Sequence, residues 1–184
     1  SGDRVVEVGC IELKNHTPTG EVYHTYLNPE RQMSESAFQI SGISDEFLQN
    51  QPVFKDVVTD FLDFVGETPI VAHNAPVDLG FINKELEIAG LPPLNPPEVV
   101  DTLALAREKF PGAQASLDAL CRRFQIDSTK RVKHSALIDA QLLAEVYLEL
   151  IGGRQTSLVL SEERRSSEAT AKRLKKWPNR TFEI

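Results

Sequence analysis

Cysteine is nearly absent: Cys10 and Cys121 are the only two among 184 residues. That excludes a disulfide framework and a cysteine-rich zinc site, and it fits a reducing, cytoplasmic setting. No stretch approaches the roughly 20 consecutive apolar residues of a membrane span, and no signal-peptide pattern opens the chain, so no membrane partner is expected. Positive charge is also scarce. The formal charge is −7, from 20 Lys and Arg against 27 Asp and Glu. Basic surplus is confined to residues 161–184, where seven Lys or Arg meet four acids, a net +3 against −10 for the rest. An acidic body argues against broad electrostatic capture of nucleic acid. It permits a nucleic-acid enzyme that carries its positive charge as bound metal.

What is present is enough apolar residue, 41%, for one well-sized core. Residues 4–13 alternate as a strand, residues 15–19 read as a turn, and residues 21–27 as a second strand, together a hairpin. Glu7 is an acid flanked by core residues; it is either an edge or barely exposed position or a group near the site. A helical turn at 34–38 and a short helix capped by Ser44 follow. Phe54, Val57, Val58, Phe61, Leu62 and Val65 give the i, i+3, i+4, i+7 pattern of an amphipathic helix stopped at Gly66. TPIVA at 68–72 fits a buried strand, and Leu79, Ile82 and Leu86 mark a helix ending near Gly90. A short strand at 99–102 precedes helices at 103–110 and 116–124, the second capped by Ser116. The mixture predicts an α/β domain with a mixed sheet.

The run KHSALIDAQLLAEVYLELI, residues 133–151, reads as one helix with an apolar stripe of Ala136, Ala140, Leu143, Tyr147 and Leu150. Gln141, Glu145 and Glu149 lie opposite, and Gly152-Gly153 ends it. His134 and Asp139 stand five apart, about 140° of helical rotation. They converge only if His134 sits in a loop or cap before the helix. Taken alone, the pair is either a site at a helix N-terminus or a surface His and a helix Asp that never meet. His73, Asn74 and Asp78 cluster at a strand-to-helix junction, where functional groups ride on a rigid scaffold. Asn74 is equally a turn former, and Asp78 a helix-start acid favoured by the dipole.

Together the pieces resemble a family. HNAPVDLGFINKEL, with HSALIDA placing His134 56 residues beyond Asp78, resembles the DEDDh 3′–5′ exonucleases. Within them the chain is most similar to the proofreading epsilon subunits of bacterial replicative polymerases. VVEVGCIEL, AFQISGISDEFL, DTLALAREKFPG, SLDALCRRFQI and AEVYLELIGGRQTSL extend the likeness over about residues 2–160. The resemblance implies a ribonuclease H-like fold, a mixed β-sheet flanked by helices. It implies two divalent ions, Mg²⁺ or Mn²⁺, held by acids that include Asp78 and Asp139, with His134 as general base. Carboxylate oxygens suit such ions, and an imidazole suits proton removal from water near neutral pH. His73 and Asn74 are implied to position the acid-bearing loop or the terminal nucleotide of a DNA 3′ end.

Three departures from the family pattern stand out. The first motif, D-x-E on a strand, is not in the chain, whose Ser1-Gly2-Asp3-Arg4 corresponds to the loop after it. The expectation is a fragment of a longer protein, nearly inactive by itself; Glu7 and Asp101 are not expected to replace the missing acids, because a two-metal site needs tight ligand geometry. Val77 stands where the family usually has Phe, and Ser41 where epsilon subunits often have His, both at implied nucleotide contacts. Residues 1–153 are thus expected to form the exonuclease domain. Residues 154–184 are expected to hold a peptide similar to clamp-binding motifs, with Gln155 at a pocket rim and Leu158 and Leu160 inside it. A basic tail follows, implied to tether the polymerase alpha subunit. A non-catalytic replisome adaptor and an RNA-trimming relative are the alternatives.

Overall fold

A computed structural model describes residues 2–129, 131 and 135–152. The chain divides into two units, Ser1–Leu150 and Ile151–Ile184; the elements below belong to the first. Strand β1 (Glu7–Lys14) pairs antiparallel with β2 (Thr17–Tyr26). The loop between them is only Asn15-His16, both at positive φ (50° and 63°). Such a pair matches the twist of a tight hairpin, and it draws residues 17–19, expected in the turn, into the ladder. The predicted start at residue 4 is also corrected. Arg4 and Val5 bond a side chain instead of a strand: the Val5 N–H donates to Glu85 Oε1 at 3.1 Å, and the Arg4 guanidinium bonds both Glu85 oxygens at 2.7 Å.

Helices α1 (Glu35–Ser41) and α2 (Asp45–Leu48) begin at Ser34 and Ser44, whose hydroxyls accept from N–H groups three residues on. Helix α3 (Phe54–Val65) ends at Gly66 as its periodicity predicts. It buries Phe54, Val58, Phe61 and Val65 against Val8, Leu27 and Leu86. At about 25 cal/mol per Å² of apolar surface, each such side chain contributes roughly 1.5–3 kcal/mol.

Strand β3 (Ile70–Ala72), helix α4 (Ala75–Ile88) and strand β4 (Val99–Asp101) form a βαβ unit, with β3 and β4 parallel and Ala72 opposite Asp101. Strand directions are therefore mixed, as expected. Among the described residues, however, the antiparallel and parallel pairs are two separate two-stranded ladders. Helices α5 (Thr102–Lys109) and α6 (Leu117–Phe124) follow, the latter capped by Ser116.

Helix α7 spans Ala136–Leu150, within the run 133–151 expected to be helical. The expected one-sided stripe is corrected. Leu142, Ala144, Val146, Tyr147 and Leu150 are buried, because the helix is wedged between two layers. Leu142, Val146 and Leu150 pack with Ala106, Leu117, Leu120 and Cys121 of α5 and α6, while its first turn lies on β1 at Gly9. No described helix is long and apolar enough to cross a membrane.

Candidate active site

Parallel strands β3 and β4 end side by side, so the residues just beyond them meet. In open α/β sheets this carboxyl end of the strands is where ligands bind. After β3 the backbone turns through Asn74 in the left-handed region (φ 71°, ψ 51°), a conformation asparagine tolerates better than most residues. Asp101 Oδ1, at the end of β4, accepts from Asn74 N and from Leu103 N, both at 2.9 Å. One carboxylate oxygen thus fixes the turn before α4 and caps α5. Fully buried Thr102 donates to the Ala72 carbonyl at 3.1 Å and hydrogen-bonds His73 Nδ1 at 2.9 Å. Burial pushes the half-buried His73 imidazole below its usual pKa, outweighing the pull of Asp101. Through Thr102, His73 braces β3 to α5.

The two predicted metal-binding acids ride on helix first turns. Asp78 sits in that of α4. Its side chain reaches solvent, yet protein crowds its carboxyl; this partial burial, with the charge of Asp101, raises its pKa. Burial together with the Asp78 charge pushes the Cys10 thiol of β1 up to about 11, and Val8 and Cys10 share a hydrophobic cluster with Ile82 and Leu86 of α4. Asp139 sits in the first turn of α7, its N–H bonded to the Ser135 carbonyl at 2.8 Å. Its carboxylate is gripped by Arg131, Nε to Oδ1 at 2.5 Å and Nη2 to Oδ2 at 2.8 Å, and Arg131 also pairs with Asp118. By sequence the connection over residues 125–133, which holds Arg131, is simply polar and basic.

Glu7 is barely exposed, as one of its two readings expects. Its side chain is 7% exposed, bonds His24 Nε2 at 2.8 Å and accepts from Ser135 Oγ at 3.0 Å, tying β1 to the start of α7. Ser41 donates to the Ala37 carbonyl at 3.0 Å and accepts from Ile43 N at 3.3 Å, so its hydroxyl serves its own helix end. Val77 is exposed on α4 one turn before exposed Phe81. His134, Gln155, Leu158 and Leu160 lie outside the described residues.

A divalent cation of the magnesium class wants several oxygen ligands at once. Among the described residues no three His, Cys, Asp or Glu side chains converge on one point. With both Asp139 oxygens turned to a guanidinium, the described residues alone do not fit a two-ion centre.

Comparison with known proteins gives one consistent picture. The exonuclease family profile (RNase_T) matches residues 1–147. The DNA polymerase III subunit epsilon of Rickettsia felis is 46% identical over 165 residues, 88% of this chain and 72% of the relative. That of Escherichia coli K12 is 43% identical over 180 residues, 94% and 74% respectively. Two solved structures share the fold. The nuclease domain of 3′hExo, a DEDDh family member bound to rAMP, has a TM-score of 0.68 at 18% identity over 80% of each chain. Exonuclease X in complex with 5′ overhanging duplex DNA has a TM-score of 0.62 at 23% identity, over 80% of this chain and 82% of the other.

Proposed function

Because this chain belongs to the exonuclease family, we propose that it is the 3′–5′ proofreading subunit, epsilon, of a bacterial DNA polymerase III, acting in the cytoplasm on DNA 3′ ends. The observation that carries this reading is the likeness to epsilon subunits across nearly the whole chain. Its chemistry is hydrolysis of the terminal phosphodiester. Water adds to phosphorus, the 3′ oxygen of the preceding nucleotide leaves with a proton, and a 5′-mononucleotide is released. His134, with an ordinary pKa near neutrality, takes the proton from the attacking water. Asp78 and Asp139 are the acids this chain contributes toward divalent cations, Mg²⁺ or Mn²⁺. Asp101 and His73 hold the Asn74 turn, and with it the first turn of α4, in place.

The test is mononucleotide release from a 3′-mispaired DNA duplex with Mn²⁺. It compares this chain with a version extended upstream by a strand carrying D-x-E, each with a His134→Ala control. The extended form should release mononucleotides, and His134→Ala should slow it about 10²-fold or more. Undiminished release by His134→Ala would remove the histidine from the mechanism. No release by the extended form would favour the adaptor reading, which the grip of Arg131 on Asp139 supports.

The proposed partners are the polymerase alpha subunit, through the basic tail, and the sliding clamp, through Gln155, Leu158 and Leu160. Alanine at Leu158 and Leu160 together should abolish clamp pull-down; unchanged capture would sink the peptide assignment.

A further inference from the structure

We propose that Arg131 is an internal counter-ion that closes Asp139 to divalent cations. The inference rests on the reading of Asp139 as a metal-binding acid. A planar guanidinium matches a carboxylate with two parallel bonds, and both Asp139 oxygens are taken this way, at 2.5 and 2.8 Å. The Arg131 side chain is 9% exposed and that of Asp139 26%, so solvent and salt screen the pair weakly. Asp118 is the outer anchor, its side chain 50% exposed against 26% for Asp139. A hard cation needs direct contact with a carboxylate oxygen, and at that distance it repels a fixed positive charge on the same carboxylate. Arginine does not lose its charge at working pH, so only movement frees the acid. Arg131 lies eight residues before Asp139 and outside helix α7.

The experiment is a Mn²⁺ titration of the 184-residue chain, followed by the electron paramagnetic resonance signal of free Mn²⁺. It uses wild type, Arg131→Gln, Asp118→Asn, Asp139→Asn and the Arg131→Gln/Asp139→Asn double variant, with circular dichroism as the folding check. Arg131→Gln should tighten Mn²⁺ binding at least tenfold, and the double variant should lose that gain. Asp118→Asn, which removes only the outer anchor, should shift affinity the same way by less, and it decides the matter if Arg131→Gln fails to fold. Unchanged or weaker affinity in folded Arg131→Gln overturns the counter-ion role. If Asp139→Asn still weakens wild-type binding in that case, the metal-acid reading survives alone. A gain that persists in the double variant overturns both.

Discussion

Gly9→Ala should cost about 3 kcal/mol, at the severe end of overpacking, and should displace the helix that carries Asp139. A Cβ at position 9 would lie 2.5 Å from the Ala136 carbonyl carbon, 2.5 Å from Leu137 N and 2.8 Å from the Ala136 oxygen. All three are backbone atoms, so no side-chain rotation relieves the clash. The only relief is to lift the first turn of α7 off β1. That stretches the bond from Ser135 to Glu7 and moves Asp139 relative to Asp78. The cause is closeness and not backbone strain, because Gly9 is not among the positive-φ residues. Gly80→Ala is the matched control. Its Cβ meets nothing within 4 Å inside helix α4, and alanine there should stabilise by about 0.5–1 kcal/mol. Urea midpoints of the two variants and wild type measure both effects. Gly9→Ala within about 0.5 kcal/mol of wild type would mean that α7 does not press on β1.

The same contact shows why some of the fold was legible in the sequence and some was not. Helix α3 could be read to the residue because one face is buried and the other wet, so its 3.6-residue period survives in the letters. The Ser44 and Ser116 caps were readable because a hydroxyl before a helix satisfies N–H groups locally. Helix α7 is buried on two sides, so its apolar residues surround it and the single stripe was an illusion. The turn expected over residues 15–19 starts in the right place but runs three residues too far, because Thr17, Pro18 and Thr19 carry turn-like letters although they belong to β2. At the site, the helix-start positions of Asp78 and Asp139 were visible from period and capping. The double duty of Asp101 was foreshadowed by Asp-Thr at the end of a strand, a helix-start signature. Glu7 was visible as an acid among core residues, although not its bond to Ser135. Nothing local distinguished Arg131 from a solvated loop cation. Its anchors, Asp118 and Asp139, are set by how α6 and α7 pack.

Arg4→Met should be the more damaging cut in the other long-range tie, costing about 3 kcal/mol, the range for breaking a buried pair from one side. Glu85 is 2% exposed and sits on α4, whereas Arg4 is 18% exposed on the segment before β1. Remove the arginine and a buried carboxylate keeps only the Val5 N–H at 3.1 Å. Remove the charge of the acid instead, with Glu85→Gln, and the freed guanidinium turns toward water. That loss should be nearer 1–1.5 kcal/mol, the worth of the hydrogen bonds alone. The asymmetry distinguishes a buried-charge penalty from simple loss of contact, which would make the two variants equal. Urea unfolding of the two variants reads the difference, and equal or reversed costs would refute the argument. The consequence reaches the site because Asp78 lies seven residues before Glu85 on α4, about two turns along one rigid helix. Whatever loosens Glu85 from the segment before β1 therefore loosens the helix that presents Asp78.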